Sequence, residues 1–272
     1  MPEIPDLEGY RAYFNRRLPG RRVEWGQVTI PIVVRASREE FAAVLSGNTL
    51  GPVERRGKCL LFPFASGHLL VVHPMLAGRF QYCQAGEKRR AKTAFVLALE
   101  DGQELRYFDE RLMGKAYLAR GEGELAVVVP RWAEMGPDAI SQELTEDAFL
   151  ERLRACRGQI KNVLTSERYV AGIGNAYVDE ILWEAGIHPY RQRKELDEEA
   201  TRRLYRAMRS VFAWATSIVV ERMEEDGLPV DEYRDHLRVH RRGGQPSPRC
   251  GTTISEITAN QRITSFCRRC QQ

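Results

Sequence analysis

The sequence predicts an α+β protein with two domains and a small terminal module, and three observations support this class. The chain has 272 residues, a length that favours two domains at roughly 100–200 residues each. Short apolar runs separated by turn residues fill the first half, which is typical of a β-sandwich or barrel. Apolar residues at helical spacing fill the second half, and a cysteine cluster follows close to the C-terminus.

Residues 1–130 are expected to form the first domain, with one helix ahead of the strands. Leu7, Tyr10 and Phe14 have the spacing of one helix face, and Pro19-Gly20 would end that helix. The strands are predicted at short β-type runs, namely Val23, Val28, Ile30, Val33, residues 60–62, 69–72 and 95–99, Tyr107 and residues 126–129. Residues 131–144 are predicted to be a linker.

Residues 145–235 are predicted to form a helical domain, because the apolar spacing becomes helical from Thr145. Gly172 and Gly174 separate two of the helices, which is typical of a helix-turn-helix. The N-terminus of the second helix could bind phosphate through free backbone N–H groups, although a structural turn is the commoner reason for such glycines. Residues 236–272 are predicted to form the terminal module.

The positive charge is concentrated in this terminal module. The formal net charge is only +4, and residues 1–150 carry 20 basic against 20 acidic side chains. From Arg234 to the end the count is 8 against 2. A basic module on a neutral body favours a nucleic-acid partner over a membrane, since no amphipathic basic helix is evident there. A solvated basic face is an equally good interpretation of the charge alone.

The sequence indicates a cytoplasmic protein. The N-terminus lacks the basic region and apolar core of a signal peptide. The most apolar stretch, residues 59–76, is interrupted by prolines and histidines and is not expected to cross a membrane. Because cysteines stay reduced in the cytoplasm, the terminal cluster is predicted to bind a metal rather than to form disulfides.

Four motifs occur in an order that matches a known family. They are Met1-Pro2-Glu3-Ile4-Pro5-Asp6-Leu7-Glu8, then Arg55-Arg56-Gly57-Lys58, then Gln159-Ile160-Lys161 with residues 171–183, and finally Gln261-Arg262 ahead of Cys267-x2-Cys270. Together they resemble the formamidopyrimidine-DNA glycosylase/endonuclease VIII family of base-excision repair enzymes over essentially the whole chain. The resemblance implies an N-terminal β-sandwich, a helix–two-turn–helix domain and a terminal β-hairpin finger similar to a zinc finger.

The resemblance implies a DNA glycosylase with AP lyase activity and three catalytic residues. Once Met1 is removed, Pro2 would be an N-terminal amine that attacks the sugar carbon bearing a damaged base and forms an iminium adduct. Glu3 would be the general acid/base beside it, and Lys58 would reach the phosphate next to the lesion. Asp6 stands where the family usually has Glu, which shortens that carboxylate arm.

The resemblance also implies the residues that bind DNA. Three side chains would contact phosphates, namely Lys161, Asn175 and Arg262. Three others, from two loops, would fill the space left when the damaged nucleotide turns out of the duplex, namely Leu76, Arg111 and Met113. The implied partner is damaged double-stranded DNA, bound by a monomer.

The finger departs from the family pattern, which is Cys-x2-Cys-x16-Cys-x2-Cys. Ser247 stands at the first position of this pattern, ahead of Cys250, Cys267 and Cys270. Three thiolates at metal spacing favour a Zn²⁺ site. A serine hydroxyl is a poor zinc ligand, and His240 would complete a Cys3His set. A zinc-free finger held by packing is the alternative.

Two other functions remain open on the sequence alone. The two loops that carry Leu76, Arg111 and Met113, which we call the wedge residues, depart from the family's usual sequence. This departure is also consistent with a damaged-DNA-binding protein that has lost its chemistry. Helix–two-turn–helix units also occur in a ribosomal protein, which would suit an RNA-binding module. Residues 221–238 lie where guanine-oxidation enzymes carry a lesion-capping loop, but here the segment is acidic. An oxidised or ring-opened base is therefore expected, without a preference for 8-oxoguanine.

Overall fold

The computed structural model describes residues 1–259 and 261–272. Contacts between residues divide the chain into two compact units. The first unit is Met1–Ala133 with Ile218–Glu232, and the second is Glu134–Ser217 with Tyr233–Gln272. Among the described residues we find no helix that combines the length and the apolar character needed to span a bilayer.

Two antiparallel sheets form the body of the first unit, which confirms the predicted β-sandwich class. Their strand orders are β1-β6-β7-β5 and β2-β3-β4-β8. The strands are β1 Val23–Val28, β2 Glu54–Arg56, β3 Cys59–Pro63, β4 Leu69–His73, β5 Gly78–Gln84, β6 Thr93–Leu99, β7 Gln103–Asp109 and β8 Lys115–Ala119. All residues of β6 are buried, as expected for an internal strand.

The core of this unit is aromatic and includes helix α1 (Ile4–Asn15). Phe14 of α1 contacts Phe62 of β3 and Phe80 of β5, with ring centroids 5.6 and 5.3 Å apart. Phe62 and Phe80 belong to different sheets and are themselves 5.8 Å apart. Tyr10 packs edge-on against Phe80 at 5.2 Å. The apolar face predicted for α1 therefore fixes the start of the chain against both sheets. A second helix, α2 (Arg38–Leu45), begins after the Ser37 cap.

The strand predicted at Ile30 and Val33 is absent from the structure, which has turns there. The backbone N–H of Val34 donates to the carbonyl of Pro31 at 3.1 Å. Pro31 has no N–H to give to a neighbouring strand, so the ladder of β1 ends at Val28.

The strand predicted over residues 126–129 is also wrong, because helix α3 (Leu125–Val128) occupies that segment. Leu125 and Val129 are buried, whereas Val127 is 84% exposed. The buried residues are thus four apart, which is the spacing of a helix and not the alternation of a strand. The β-branched composition of this segment misled the prediction.

Helices are the main regular elements of the second unit, as predicted. They are α4 Glu146–Arg154, α5 Ile160–Leu164, α6 Asn175–Ala185 and residues 198–217 of α7 (Glu198–Asp226). The Thr145 side chain caps α4 by accepting from the N–H of Ala148 at 3.2 Å. Between α5 and α6, Gly172 has φ of 102°, a conformation that side chains disfavour. Asn175 is the first residue of α6.

The second unit ends in the antiparallel hairpin of β9 (Ser255–Ala259) and β10 (Arg262–Phe266). Two tight turns flank it, which we call the first knuckle (residues 247–251) and the second knuckle (residues 267–271). In the first knuckle the N–H of Gly251 donates to the carbonyl of Ser247 at 2.8 Å. In the second, the N–H of Gln271 donates to the carbonyl of Cys267 at 3.0 Å. The two knuckles therefore share the same backbone hydrogen bond, from the N–H of the fifth residue to the carbonyl of the first.

Candidate active site and nucleic-acid interface

Pro2 and Glu3 are held at the start of α1. Glu3 is the N-cap of this helix, and its side chain is only 3% exposed. The backbone N–H of Glu3 donates to Oδ2 of Asp6 at 2.8 Å. The shorter arm of Asp6 therefore still reaches the helix start, where a carboxylate favours the helix dipole. Pro2 is buried directly before this cap.

A cavity of about 10 Å³ adjoins Pro2, lined in part by Asp6 and Arg79. Arg79 binds the acidic segment that follows α7, with Nε 3.0 Å from Asp231 and Nη2 2.8 Å from Glu232. Glu232 also lies 3.3 Å from the N-terminal ammonium of Met1. A carboxylate is thus fixed beside the start of the chain. The sequence analysis missed Arg79 and Glu232, because nothing local in the sequence pairs residues 153 positions apart.

Lys58 lies in the turn between β2 and β3 and is 7% exposed. The turn is held by Arg55, which donates to the carbonyl of Gly57 at 2.9 Å and to Glu8 at 2.6 Å. Glu8 is five residues beyond Glu3 on α1, which is about 7.5 Å along the helix axis. The same helix therefore positions both Glu3 and the turn that carries Lys58.

His73 lies at the end of β4 and was not singled out from the sequence. Burial, and to a smaller extent the charge of Lys58, lowers the pKa of His73 to about 4. Its Nδ1 accepts the backbone N–H of Met75 at 3.0 Å. The imidazole is therefore neutral near pH 7, with its proton on Nε2. Its place at a strand end, directly before Pro74, was the signal that could have found it.

The depressed pKa of His73 predicts that the first unit loses stability on acidification. The unfolded chain has a histidine pKa of about 6.5, so it binds more protons than the folded chain between about pH 6.5 and about pH 4. Stability is expected to fall as the pH decreases through this window. In urea unfolding at about pH 7 and about pH 4.5, His73→Gln should show a smaller loss than the wild type. An equal loss in both proteins would contradict this assignment.

The two loops that carry the wedge candidates share one support, the fully buried Tyr107 of β7. A Cβ placed on either Gly78 or Gly114 would lie 1.9 Å from the Tyr107 hydroxyl oxygen. Both loops therefore close against the same phenol, and glycine is required in each. Asp109 binds the second loop by accepting the backbone N–H groups of Arg111 and Gly114.

The tips of these loops present apolar side chains to solvent. Leu76 is 39% exposed and Met113 is 38% exposed, and Arg111 is also exposed. Met75 and Leu112 have φ of 53° and 54°, which is unusual for residues other than glycine. Exposed apolar side chains on strained, well-supported tips are suited to unstacking a base step. Their insertion into a duplex stays a prediction.

Two of the predicted phosphate-binding residues meet at one carbonyl in the second unit. The Lys161 ammonium donates to Asp179 at 2.7 Å, to Thr264 at 2.8 Å and to the Ile263 carbonyl at 3.0 Å. The Asn175 amide donates to the same Ile263 carbonyl at 2.9 Å. Lys161 and Asn175 therefore hold the start of β10 against α5 and α6.

The three predicted phosphate-binding residues differ in how accessible their side chains are to a ligand. An ammonium has three N–H donors, and the structure directs those of Lys161 to protein acceptors, with the side chain 7% exposed. Arg262, next to Ile263, is exposed. Asn175 is half-buried at the N-terminus of α6. Direct phosphate contacts from these residues stay predictions, and Arg262 is the most accessible of the three.

The finger cysteines come together as a metal-binding group. The thiols of Cys250, Cys267 and Cys270 lie within 4.8 Å of one another. The sulfur of Cys250 is 3.5 Å from that of Cys267 and 3.2 Å from that of Cys270. Three thiolates around Zn²⁺ at about 2.3 Å would be about 3.8 Å apart. The donor set and its spacing therefore suit zinc.

His240 does not belong to this group. Its Nδ1 lies 2.7 Å from Asp179, and its backbone N–H donates to Glu180 at 2.9 Å. Burial raises the pKa of Glu180, although three backbone N–H groups oppose that shift. The imidazole is thus held in the network around Asp179. His240 is not among the groups whose ligand atoms lie within 4.8 Å of one another, so the structure places it outside the thiol cluster.

Comparisons with known protein families match three parts of the chain. Residues 1–116 match the model of the formamidopyrimidine-DNA glycosylase N-terminal domain, and residues 135–223 match that of its H2TH domain. Residues 244–272 match a zinc finger found in formamidopyrimidine-DNA glycosylase and isoleucyl-tRNA synthetase (FPG and IleRS).

Relatives and solved structures extend the match. The chain is 36% identical to formamidopyrimidine-DNA glycosylase of Symbiobacterium thermophilum, over 100% of this chain and 89% of the relative. It is 31% identical to the Listeria innocua enzyme, with both chains fully covered. A crystal structure of the Lactococcus lactis enzyme, non-covalently bound to DNA containing an AP site, superposes with a TM-score of 0.87 at 27% identity, covering both chains fully. MutM in complex with DNA containing carbocyclic 8-oxo-G gives 0.87 at 28%, again over both full chains. This chain therefore belongs to the formamidopyrimidine-DNA glycosylase family.

Proposed function

We propose that this chain is a base-excision repair DNA glycosylase with AP lyase activity that removes oxidised or ring-opened bases. The observation that carries the proposal is the buried Pro2-Glu3 dipeptide at the start of α1, capped by Asp6. Membership of a family of DNA glycosylases supports it, as do the relatives solved with damaged DNA.

The chemistry follows from the amine of Pro2 once Met1 has been removed. The amine nitrogen attacks the sugar carbon that bears the damaged base, and the bond from that carbon to the base breaks. The base leaves as its neutral form with the proton that the amine gives up. Glu3 donates the proton that opens the sugar ring, which leaves an iminium adduct between Pro2 and the sugar. Loss of a proton from the neighbouring carbon then breaks the bond to the 3′ oxygen and cleaves the strand. Hydrolysis of the iminium releases the enzyme.

The remaining predicted residues are proposed to bind DNA. Lys58 neutralises the phosphate next to the lesion, and Asn175 and Arg262 bind phosphates from the second unit. Lys161 acts by holding the strand that carries Arg262. The wedge residues fill the vacated space in the duplex, namely Leu76, Arg111 and Met113. Catalysis and insertion into the duplex are thus assigned to residues 1–130, and further DNA binding to residues 145–235 and 236–272, in a monomer.

Zinc is proposed to be bound by the thiolates of Cys250, Cys267 and Cys270. These ligands come from both knuckles, which flank the hairpin. A bound ion would join the knuckles and so stabilise the hairpin that carries Arg262.

Borohydride trapping on a duplex with one abasic site tests the proposal. Two forms of the full chain are compared: one with a free Pro2 amine, and one with a short Gly-Ser extension that leaves Pro2 in a peptide bond. Borohydride reduces an iminium to a stable amine, so a covalent adduct is expected from the first form and not from the second. Equal adducts from both forms would assign the nucleophile elsewhere. Tight binding to damaged duplex without an adduct from either form would indicate a binding protein that lacks the chemistry.

A further inference from the structure

We infer that Ser247 is the fourth zinc ligand of the finger and binds the ion through a neutral hydroxyl. The site is then a Cys3Ser centre that holds zinc less tightly than four thiolates would. This inference rests on the proposed zinc site and adds a ligand that the cysteine spacing does not supply.

The backbone places Ser247 where a ligand is expected. Cys267 begins the second knuckle and provides a thiol, and Ser247 begins the first knuckle with the same turn. Each residue accepts a backbone N–H from the residue four positions on, at 2.8 Å for Ser247 and 3.0 Å for Cys267. A second bond, from the N–H of Ser247 to the carbonyl of Thr252 at 2.9 Å, closes the first knuckle. Ser247 is thus the structural counterpart of Cys267.

The side-chain distance agrees with a shared ion. The hydroxyl oxygen of Ser247 is 3.7 Å from the sulfur of Cys270. In a tetrahedral site with Zn–S of about 2.3 Å and Zn–O of about 2.0–2.2 Å, oxygen and sulfur ligands are about 3.5–3.6 Å apart. Ser247 is also 2% exposed, so its hydroxyl faces the protein and not bulk water.

No further Cys, His, Asp or Glu side chain competes for this position among residues 1–259 and 261–272. Neither a further Cys or His nor a carboxylate joins the three thiols there. His240, the candidate from the sequence, is bound to Asp179. The hydroxyl of Ser247 is therefore the donor that completes four-coordination.

A neutral ligand changes the charge and the affinity of the centre. Zn²⁺ with four thiolates carries a net charge of about −2, and with three thiolates and a hydroxyl about −1. The finger is rich in arginine, including Arg268 and Arg269 of the second knuckle, so the smaller negative charge opposes the approach of phosphates less. A hydroxyl is also a weaker donor than a thiolate, so the ion exchanges more readily.

Metal binding measured on the full chain without DNA tests the inference. The wild type is compared with Ser247→Cys, which restores a fourth thiolate, and with Ser247→Ala, which removes the oxygen. Each metal-free protein is titrated with Co²⁺ for its visible and sulfur-to-metal absorbance, and then with Zn²⁺ against a chelator. Trp183 belongs to the buried cluster that contains Cys267 and against which Cys250 and Cys270 pack, so its fluorescence gives a further signal of loading.

We expect three-thiolate absorbance from the wild type and a stronger sulfur-to-metal band from Ser247→Cys. Zinc affinity should rise at least about tenfold in Ser247→Cys, since even losing a partner of a metal ligand changes affinity by about 10–100-fold. Ser247→Ala should bind zinc more weakly than the wild type and shift the visible cobalt band. Identical spectra and affinities for wild type and Ser247→Ala would overturn the inference, as would a wild type that binds neither metal. Trapping on abasic DNA, run on the same preparations, reports separately on the glycosylase proposal.

Discussion

Glu3→Gln is expected to slow base removal by about 10²–10⁴-fold, the usual contribution of a general acid/base. Glutamine keeps the size of the side chain and the position of the N-cap but has no proton to give. The backbone N–H of Glu3 still donates to Asp6, so α1 should remain intact. Single-turnover excision on a duplex with one oxidised base measures the effect.

Trapping on a preformed abasic site separates this role from that of the amine. Glu3→Gln retains Pro2, so it should still form a borohydride-stable adduct where no base has to leave. Glu24→Gln is a suitable control, because Glu24 is an exposed residue of β1 and does not belong to the start of α1. A Glu3→Gln enzyme that excises bases as fast as the wild type would remove Glu3 from the mechanism.

Glu104→Gln is expected to lower the free energy of unfolding by about 3–5 kcal/mol, because it leaves a buried cation without its partner. Arg106 is fully buried on β7, and its Nε lies 2.5 Å from Glu104, two residues away on the same face. The other guanidinium nitrogens donate to the carbonyls of Glu87 and Ala85, at 3.0 and 3.1 Å. The ion pair therefore also fixes the turn between β5 and β6. Equilibrium urea unfolding measures the loss.

A double replacement is the matched control for this pair. Glu104→Leu with Arg106→Met removes both charges together and fills similar volume, so it should recover a large part of the stability lost in Glu104→Gln. The carbonyls that Arg106 now satisfies would still lose their donors, so recovery should be incomplete. A double variant less stable than Glu104→Gln would mean that the loss does not come from an unpaired buried charge.

Local patterns predicted the elements of this protein well. The spacing of Leu7, Tyr10 and Phe14 predicted α1, and the glycines at 172 and 174 predicted the turn before α6. These sequence patterns are local, because the residues that form them lie in or next to the helix or turn that they predict. Residues 126–129 misled the prediction, because valine favours strands and only the burial of Leu125 and Val129 reveals a helix.

Contacts between distant residues could not be read from the sequence. The pairing of Arg79 with Glu232 and the closing of two loops on Tyr107 depend on how the sheets and the end of α7 meet. Periodicity along the sequence carries no information about such contacts, so only the folded structure reveals these residues. The surroundings of His240 could not be read from the sequence for the same reason, since its distance from the cysteines along the chain does not reveal its bond to Asp179.

The carboxylate of Asp179 has a consequence for the order in which the chain folds. It accepts from Lys161, His240 and the backbone of Ser265, which come from three widely separated parts of the chain. During synthesis, Asp179 and Lys161 emerge from the ribosome well before Ser265 does. The helices of the second unit therefore lack part of their buried polar network until β10 has been made. A ribosome-bound chain that stops before β10 lacks the Ser265 and Thr264 partners of this network, so the network of the second unit is completed only after β10 emerges.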